Sequence, residues 1–160
     1  MPEVRSASHY EKYRVEGLES LLLEATPAPD GTKCFVFAYF ALPETPKPEK
    51  GYPAVVLQHG NTDTCFPMIA KRWRDRGYAV ISYDHYGNLP ETACSYLERP
   101  VVGESLQKKL NVKLTSADPR LREIWAKNIW SAAGHANSFL RSRPEIDTGK
   151  GSFAIVGASM

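Results

Sequence analysis

Three short, almost unbroken apolar runs constrain this chain more than anything else in it: P-A-V-V-L-Q at residues 53 to 58, Y-A-V-I-S-Y at 78 to 83 and S-F-A-I-V at 152 to 156. Runs of this length without polar alternation are what strands covered on both faces require. Between the first two, Phe66, Ile69, Ala70 and Trp73 recur at i, i+3, i+4 and i+7, and Gly77 stands at the exit. That spacing predicts a short amphipathic helix, with the basic cluster Lys71, Arg72, Arg74 and Arg76 as its solvated face. Strand, helix and strand within about thirty residues make a βαβ unit and therefore a parallel pair. Ahead of the third run, Asp118-Pro119 is a helix start, and Leu121, Ile124, Trp125, Ile129, Ala132, Ala136, Phe139 and Leu140 keep helical spacing up to Arg143-Pro144. The expected fold class is α/β: adjacent parallel strands, the last beside the second, with a helix over 121 to 142 packed across them.

Upstream, residues 19 to 25 and 33 to 41 are apolar and aromatic runs on either side of Pro29-Asp30-Gly31, which predicts a β-hairpin. Residues 42 to 53 carry four prolines and read as an exposed connector. From 85 to 115 the periodicity fades over a stretch longer than the roughly 12 to 15 residues usual for a structureless loop. Such a stretch carries function or small helices, and it is a candidate wall for a binding site.

Composition narrows the classes. With 42% hydrophobic and 24% charged residues, and 20 Lys plus Arg set among 18 Asp plus Glu, the 160 residues read as one globular domain without a nucleic-acid partner. The first twenty residues form a polar leader with no signal-peptide run. No stretch approaches the roughly 18 apolar residues of a membrane span, so no membrane partner is expected. Cys34, Cys65 and Cys94 are an odd set without metal-knuckle spacing, which predicts reduced thiols and a cytoplasmic location. Neither a metal nor a cofactor is expected. Trp73, Trp125 and Trp130 fall at or near apolar stripes and are expected in the core.

The chemistry gathers at strand ends. Gly157-Ala158-Ser159-Met160 supply the first four places of a G-x-S-x-G nucleophile elbow, directly after a strand predicted to be parallel. A strained strand-to-helix turn of this kind holds a serine hydroxyl clear of the sheet, where a base and an acyl carbon can both reach it. Oxyanion donors come from the amide after the serine, here Met160, and from a loop after an earlier strand. His59-Gly60-Asn61-Thr62 follows the 53 to 58 strand at that point. His59 is read as bracing this loop, and His85, beside Asp84, as part of a turn. His9 and His135 are assigned surface or packing roles.

Taken together, P-A-V-V-L-Q-H-G, A-K-R-W-R-D-R-G-Y-A-V-I-S-Y-D, the long helix, R-P-E-I-D and G-A-S-M resemble the α/β-hydrolase superfamily. More narrowly, they are similar to its acetyl xylan esterase and dienelactone-hydrolase-like branch, related to prolyl oligopeptidase catalytic domains. The resemblance covers residues 53 to 160 and, more loosely, the hairpin. It implies an incomplete α/β-hydrolase fold, with residues 1 to 160 the amino-terminal portion of the catalytic domain, cut at the elbow. It assigns the nucleophile to Ser159 and the oxyanion amides to Met160 and the loop around Gly60 and Asn61. The substrate would be a small-molecule or carbohydrate ester. The triad acid and histidine would lie beyond residue 160, leaving this chain inactive alone. Asn61 and Thr62 depart from the commoner H-G-G-G loop. Three other readings stay open: a serine peptidase of the prolyl oligopeptidase type, a dinucleotide-binding domain with I-V-G-A-S as a phosphate turn, and a non-catalytic remnant.

Overall fold

A computed structural model describes residues 1 to 60, 63 to 95, 97 to 115 and 117 to 157. In chain order the strands are β1 (Val4–Ser6), β2 (Glu19–Glu24), β3 (Phe35–Ala41), β4 (Ala54–Gln58), β5 (Ala79–Tyr83) and β6 (Phe153–Gly157). The α-helices are α1 (Pro67–Arg74), α2 (Leu106–Leu110) and α3 (Arg122–Arg141), and a 3-10 turn spans Glu11–Tyr13. The described strands form one mixed sheet in the order β1-β2-β3-β5-β4-β6.

The hairpin forms as its turn chemistry predicts, with Glu19 opposite Phe40 and Glu24 opposite Phe35. Asp30 closes the connection, its carboxylate accepting from the Thr32 amide at 2.9 Å. The βαβ unit is also present: β4 and β5 are parallel, with α1 between them in sequence.

Alternation along β3 sorts the core. Val36, Ala38 and Phe40 face one side of the sheet and join Val56, Ile81 and the α3 residues Ala132, Ala136 and Leu140. Phe35, Phe37 and Tyr39 face the other. Further along that second face, Val55, Leu57 and Val80 pack against Ala70 of α1. Each large apolar side chain buried in these layers contributes about 1.5–3 kcal/mol, so α3 is held by its stripe rather than by its caps. Its N-cap residue, Leu121, makes no side-chain capping bond.

Several expectations require correction. The last strand pairs with β4, not with β5, and lies on the far side of β4 from it. The outer edge of β5 is already occupied by β3, in antiparallel pairing. Among the described residues the third run is not covered on both faces: Ala154 to Gly157 are exposed, Ile155 to 60%. Trp130 is 77% exposed and stands outside the core. The polar leader is structured: β1 adds to β2, and Tyr10 and Tyr13 meet Phe37 edge-on. Arg74 is not simply solvated. It donates to the Gly17 carbonyl at 3.1 Å and lies 3.2 Å from Glu44, tying the leader and the connector to α1.

Candidate functional site

Parallel strands deliver their carboxyl ends to one edge of a sheet. Here the register is in step, since Gln58 is partnered by Tyr83 on one side and Gly157 on the other. His59-Gly60 and Asp84-His85 therefore leave the sheet at the edge where Gly157 ends β6. Of the residues expected to do chemistry, Gly60 is placed at this edge. Asn61, Ser159 and Met160 lie outside the described residues.

The edge is organised around Asp84, which is buried. One carboxylate oxygen accepts the Thr64 hydroxyl at 2.9 Å, and the other accepts the amides of Tyr86 at 3.0 Å and Asn88 at 3.1 Å. Burial pushes this carboxyl up from the ordinary aspartate range, while the three donors pull against it. The aspartate thereby fixes the turn after β5 and ties it to the loop after β4. Gly87 completes the turn at φ +80, and its amide donates to the Asp84 carbonyl at 3.0 Å.

His59 acts as the expected brace. Its Nδ1 lies 2.7 Å from the Gly60 carbonyl, which can only accept, so Nδ1 carries the proton. Its Nε2 then accepts the His85 amide at 3.3 Å. The Asp84 carboxylate is 3.7 Å from that nitrogen, beyond hydrogen-bond reach. The two imidazoles stack at 3.9 Å between centroids. His85 is 1% exposed, and among the described residues neither of its ring nitrogens has a hydrogen-bond partner. Burial holds its pKa well below the usual histidine range. Both rings serve the loop architecture, in keeping with the structural roles the sequence suggested. His135 likewise packs, with Nδ1 2.7 Å from the Glu24 carbonyl.

Sequence reasoning missed the residues that bind the edge together. Asn128, on the inner face of α3, donates to the His85 carbonyl and accepts the Thr26 amide at 3.3 Å. Gln107 donates to Asn88 at 2.8 Å and accepts the Leu114 amide at 2.8 Å. A polar residue inside an apolar helical stripe was the available signal for Asn128. Nothing local marks Gln107. The 85 to 115 stretch does carry a small helix, α2, capped by the Ser105 hydroxyl.

Two apolar cavities flank β6. One, of about 90 Å³, lies between α1 and the sheet against Leu57, Phe66, Trp73 and Val156. The other, of about 270 Å³, lies on the opposite face against Trp125, Ile129, Trp130 and Gly157. Among the described residues, no group of three or more His, Cys, Asp or Glu side chains is placed to hold a metal ion, and no helix is long and apolar enough to cross a membrane.

No protein-family model and no curated protein matches the sequence. Solved structures do. An acetyl xylan esterase from Paenibacillus sp. R4 superposes with a TM-score of 0.51 at 15% identity, covering 98% of this chain and 45% of that one. Acetyl xylan esterase 1 from Thermoanaerobacterium sp. JW/SL YS485 gives 0.55 at 18% identity, covering 99% of this chain and 44% of that one. The class defined is thus a partial α/β fold of the kind these esterases have. The chain spans less than half the length of either esterase.

Proposed function

We propose that this chain is the amino-terminal portion of a serine-dependent carboxylic-ester hydrolase, with acetyl esters of carbohydrates as the first substrates to test. The observation that carries the reading is the shared register of Gln58 with Gly157. It ends β4 and β6 at one sheet edge, which supports a reading in which Ser159 and the His59-Gly60 loop meet there as nucleophile and oxyanion loop. In this mechanism Ser159 Oγ attacks the acyl carbon and loses its proton to a histidine. The oxyanion is met by the amides of Met160 and the Gly60-Asn61 loop. The alcohol leaves with that proton, and water then releases the acid from the acyl-enzyme.

The histidine is not one of those at the edge, because His59 is committed to the Gly60 carbonyl and the His85 amide. His85 is sealed from solvent. In this reading the base is neither His59 nor His85, and without a base the serine is essentially inert. The three cysteines are unpaired, in keeping with a reducing compartment such as the cytoplasm.

A chromogenic acetyl ester and a serine-directed organophosphate test the reading on this chain and on the longest polypeptide its gene encodes. The longer polypeptide should turn over the ester, become labelled at Ser159, and lose activity by a factor of about 10³ or more in Ser159→Ala. Saturable turnover by the 160-residue chain would overturn the placement of the base. An active but unlabelled long form would remove Ser159.

A further inference from the structure

Arg99 is 7% exposed, yet among the described ion pairs it has no carboxylate partner. Its guanidinium instead goes to backbone carbonyls. Nε donates to Glu91 O at 2.6 Å and Nη1 to Asp63 O at 2.6 Å. Its own carbonyl accepts from Lys113 Nζ at 2.6 Å, which anchors the backbone that presents the fork. A buried cation is costly to desolvate unless its donors are used, and here two of them are used on two loops at once.

The first of those loops is the one after β4. In it the Asp63 amide donates to Gly60 O at 3.3 Å, and Gly60 O also takes the His59 ring at 2.7 Å. The next residue, Thr64, is tied to Asp84. Arg99 adds a restraint on the carbonyl side of Asp63, and its own carbonyl is held by Lys113. Asn61 and Thr62 lie in sequence between these pinned points. An oxyanion donor is effective only when its direction is set before the charge develops. A planar guanidinium holds two acceptors in fixed geometry, which an ammonium cannot do.

We propose that Arg99 is a positioning residue of the ester-hydrolysing site, fixing Asp63 and, through the bond from Asp63 to Gly60, the exit from β4 that serves as the oxyanion loop. The proposal rests on the reading of the loop after β4 as the oxyanion loop. The 85 to 115 stretch then contributes to the reaction through this clamp.

Arg99→Lys and Arg99→Met test it in two arms. In the first, amide hydrogen exchange of the chain should rise about tenfold in peptides covering 60 to 66 and 88 to 93, with β3 and β5 unchanged. Unchanged protection at 60 to 66 overturns the clamp, and a uniform rise across β3, β4 and β5 in the lysine variant makes Arg99 a general fold residue instead. Should the methionine variant fail to fold, the lysine variant decides. In the second arm, ester hydrolysis by the longest gene product should lose about ten- to hundredfold in kcat, with KM within about twofold and an unshifted pH profile. A loss confined to KM overturns the positioning role. Absence of hydrolysis in the unaltered protein overturns the proposed function and this catalytic consequence together, while the exchange arm still decides whether Arg99 holds the turn.

Discussion

At the scale of single residues, His85 costs the fold something. Two buried ring nitrogens without partners forfeit their hydration, and each such atom costs about 1–3 kcal/mol. Its backbone, in contrast, is fully used, the amide by His59 and the carbonyl by Asn128. His85→Phe keeps the stack and the backbone bonds and removes the unmet nitrogens, so urea unfolding at neutral pH should show a gain of about 1 kcal/mol. The same variant should change the pH dependence. Burial depresses the folded pKa of His85, whereas the unfolded chain takes up this proton below about pH 6.5. The unfolded state therefore binds more protons, and stability falls as pH drops through about 6.5, by at most about 1.4 kcal/mol per pH unit. Asp84, pushed up by burial, is protonated first in the folded state and works in the opposite direction at lower pH. A phenylalanine variant that keeps the wild-type slope between pH 7 and 5.5 would show that another group carries the proton.

Among the elements, the turn after β5 and the edge strand β6 are the two that a single substitution tests best. Gly87 has φ +80, and a Cβ there would stand 2.7 Å from the Ser105 Cβ, the residue that caps α2. Gly87→Ala should lose about 1–3 kcal/mol from left-handed strain alone, and the contact adds to this. Hydrogen exchange should locate the damage in α2 and the 84 to 89 turn, and a loss below about 0.5 kcal/mol would mean the turn relaxes freely. Among the described residues β6 is the last strand of the sheet, with an edge no strand pairs, apolar side chains on both faces and no proline or charge inside it. Such an edge is a template for pairing with other chains. Ile155→Lys places a charge at a 60% exposed position, so self-association measured by light scattering over a concentration series should drop while the unfolding midpoint stays put. Undiminished association would locate the adhesive surface elsewhere.

Across the whole molecule, periodicity carried far. The long helix was legible from residues three or four apart, the hairpin and the βαβ unit from apolar runs and their turn residues, and the connector from its prolines. Only residues 44 to 50 of that connector are exposed, however, and Tyr52 joins the core. Strand ends were legible too, and with them the arrival of the ends of β4, β5 and β6 at one edge of the sheet. What could not be read were facts about neighbours. F-A-I-V looks the same whether its faces are covered or bare, and Trp130 sits near an apolar stripe whether or not anything lies over it. The leader reads as polar because β1 is three residues long and its companion tyrosines reach Phe37 from a turn.

The local conformations of this protein, and the residue types able to perform acyl chemistry, were determined by the sequence itself, since turn residues, helical spacing and β-branched runs act within a few positions. Only the tertiary structure decided that β6 lies against β4, that Arg99 clamps Asp63 to Glu91 across 36 and 8 residues of chain, and that Asn128 and His85 meet across 43. Contacts between residues so distant in sequence are selected by which surfaces can be buried together with their polar atoms satisfied, and that is settled by the whole chain at once.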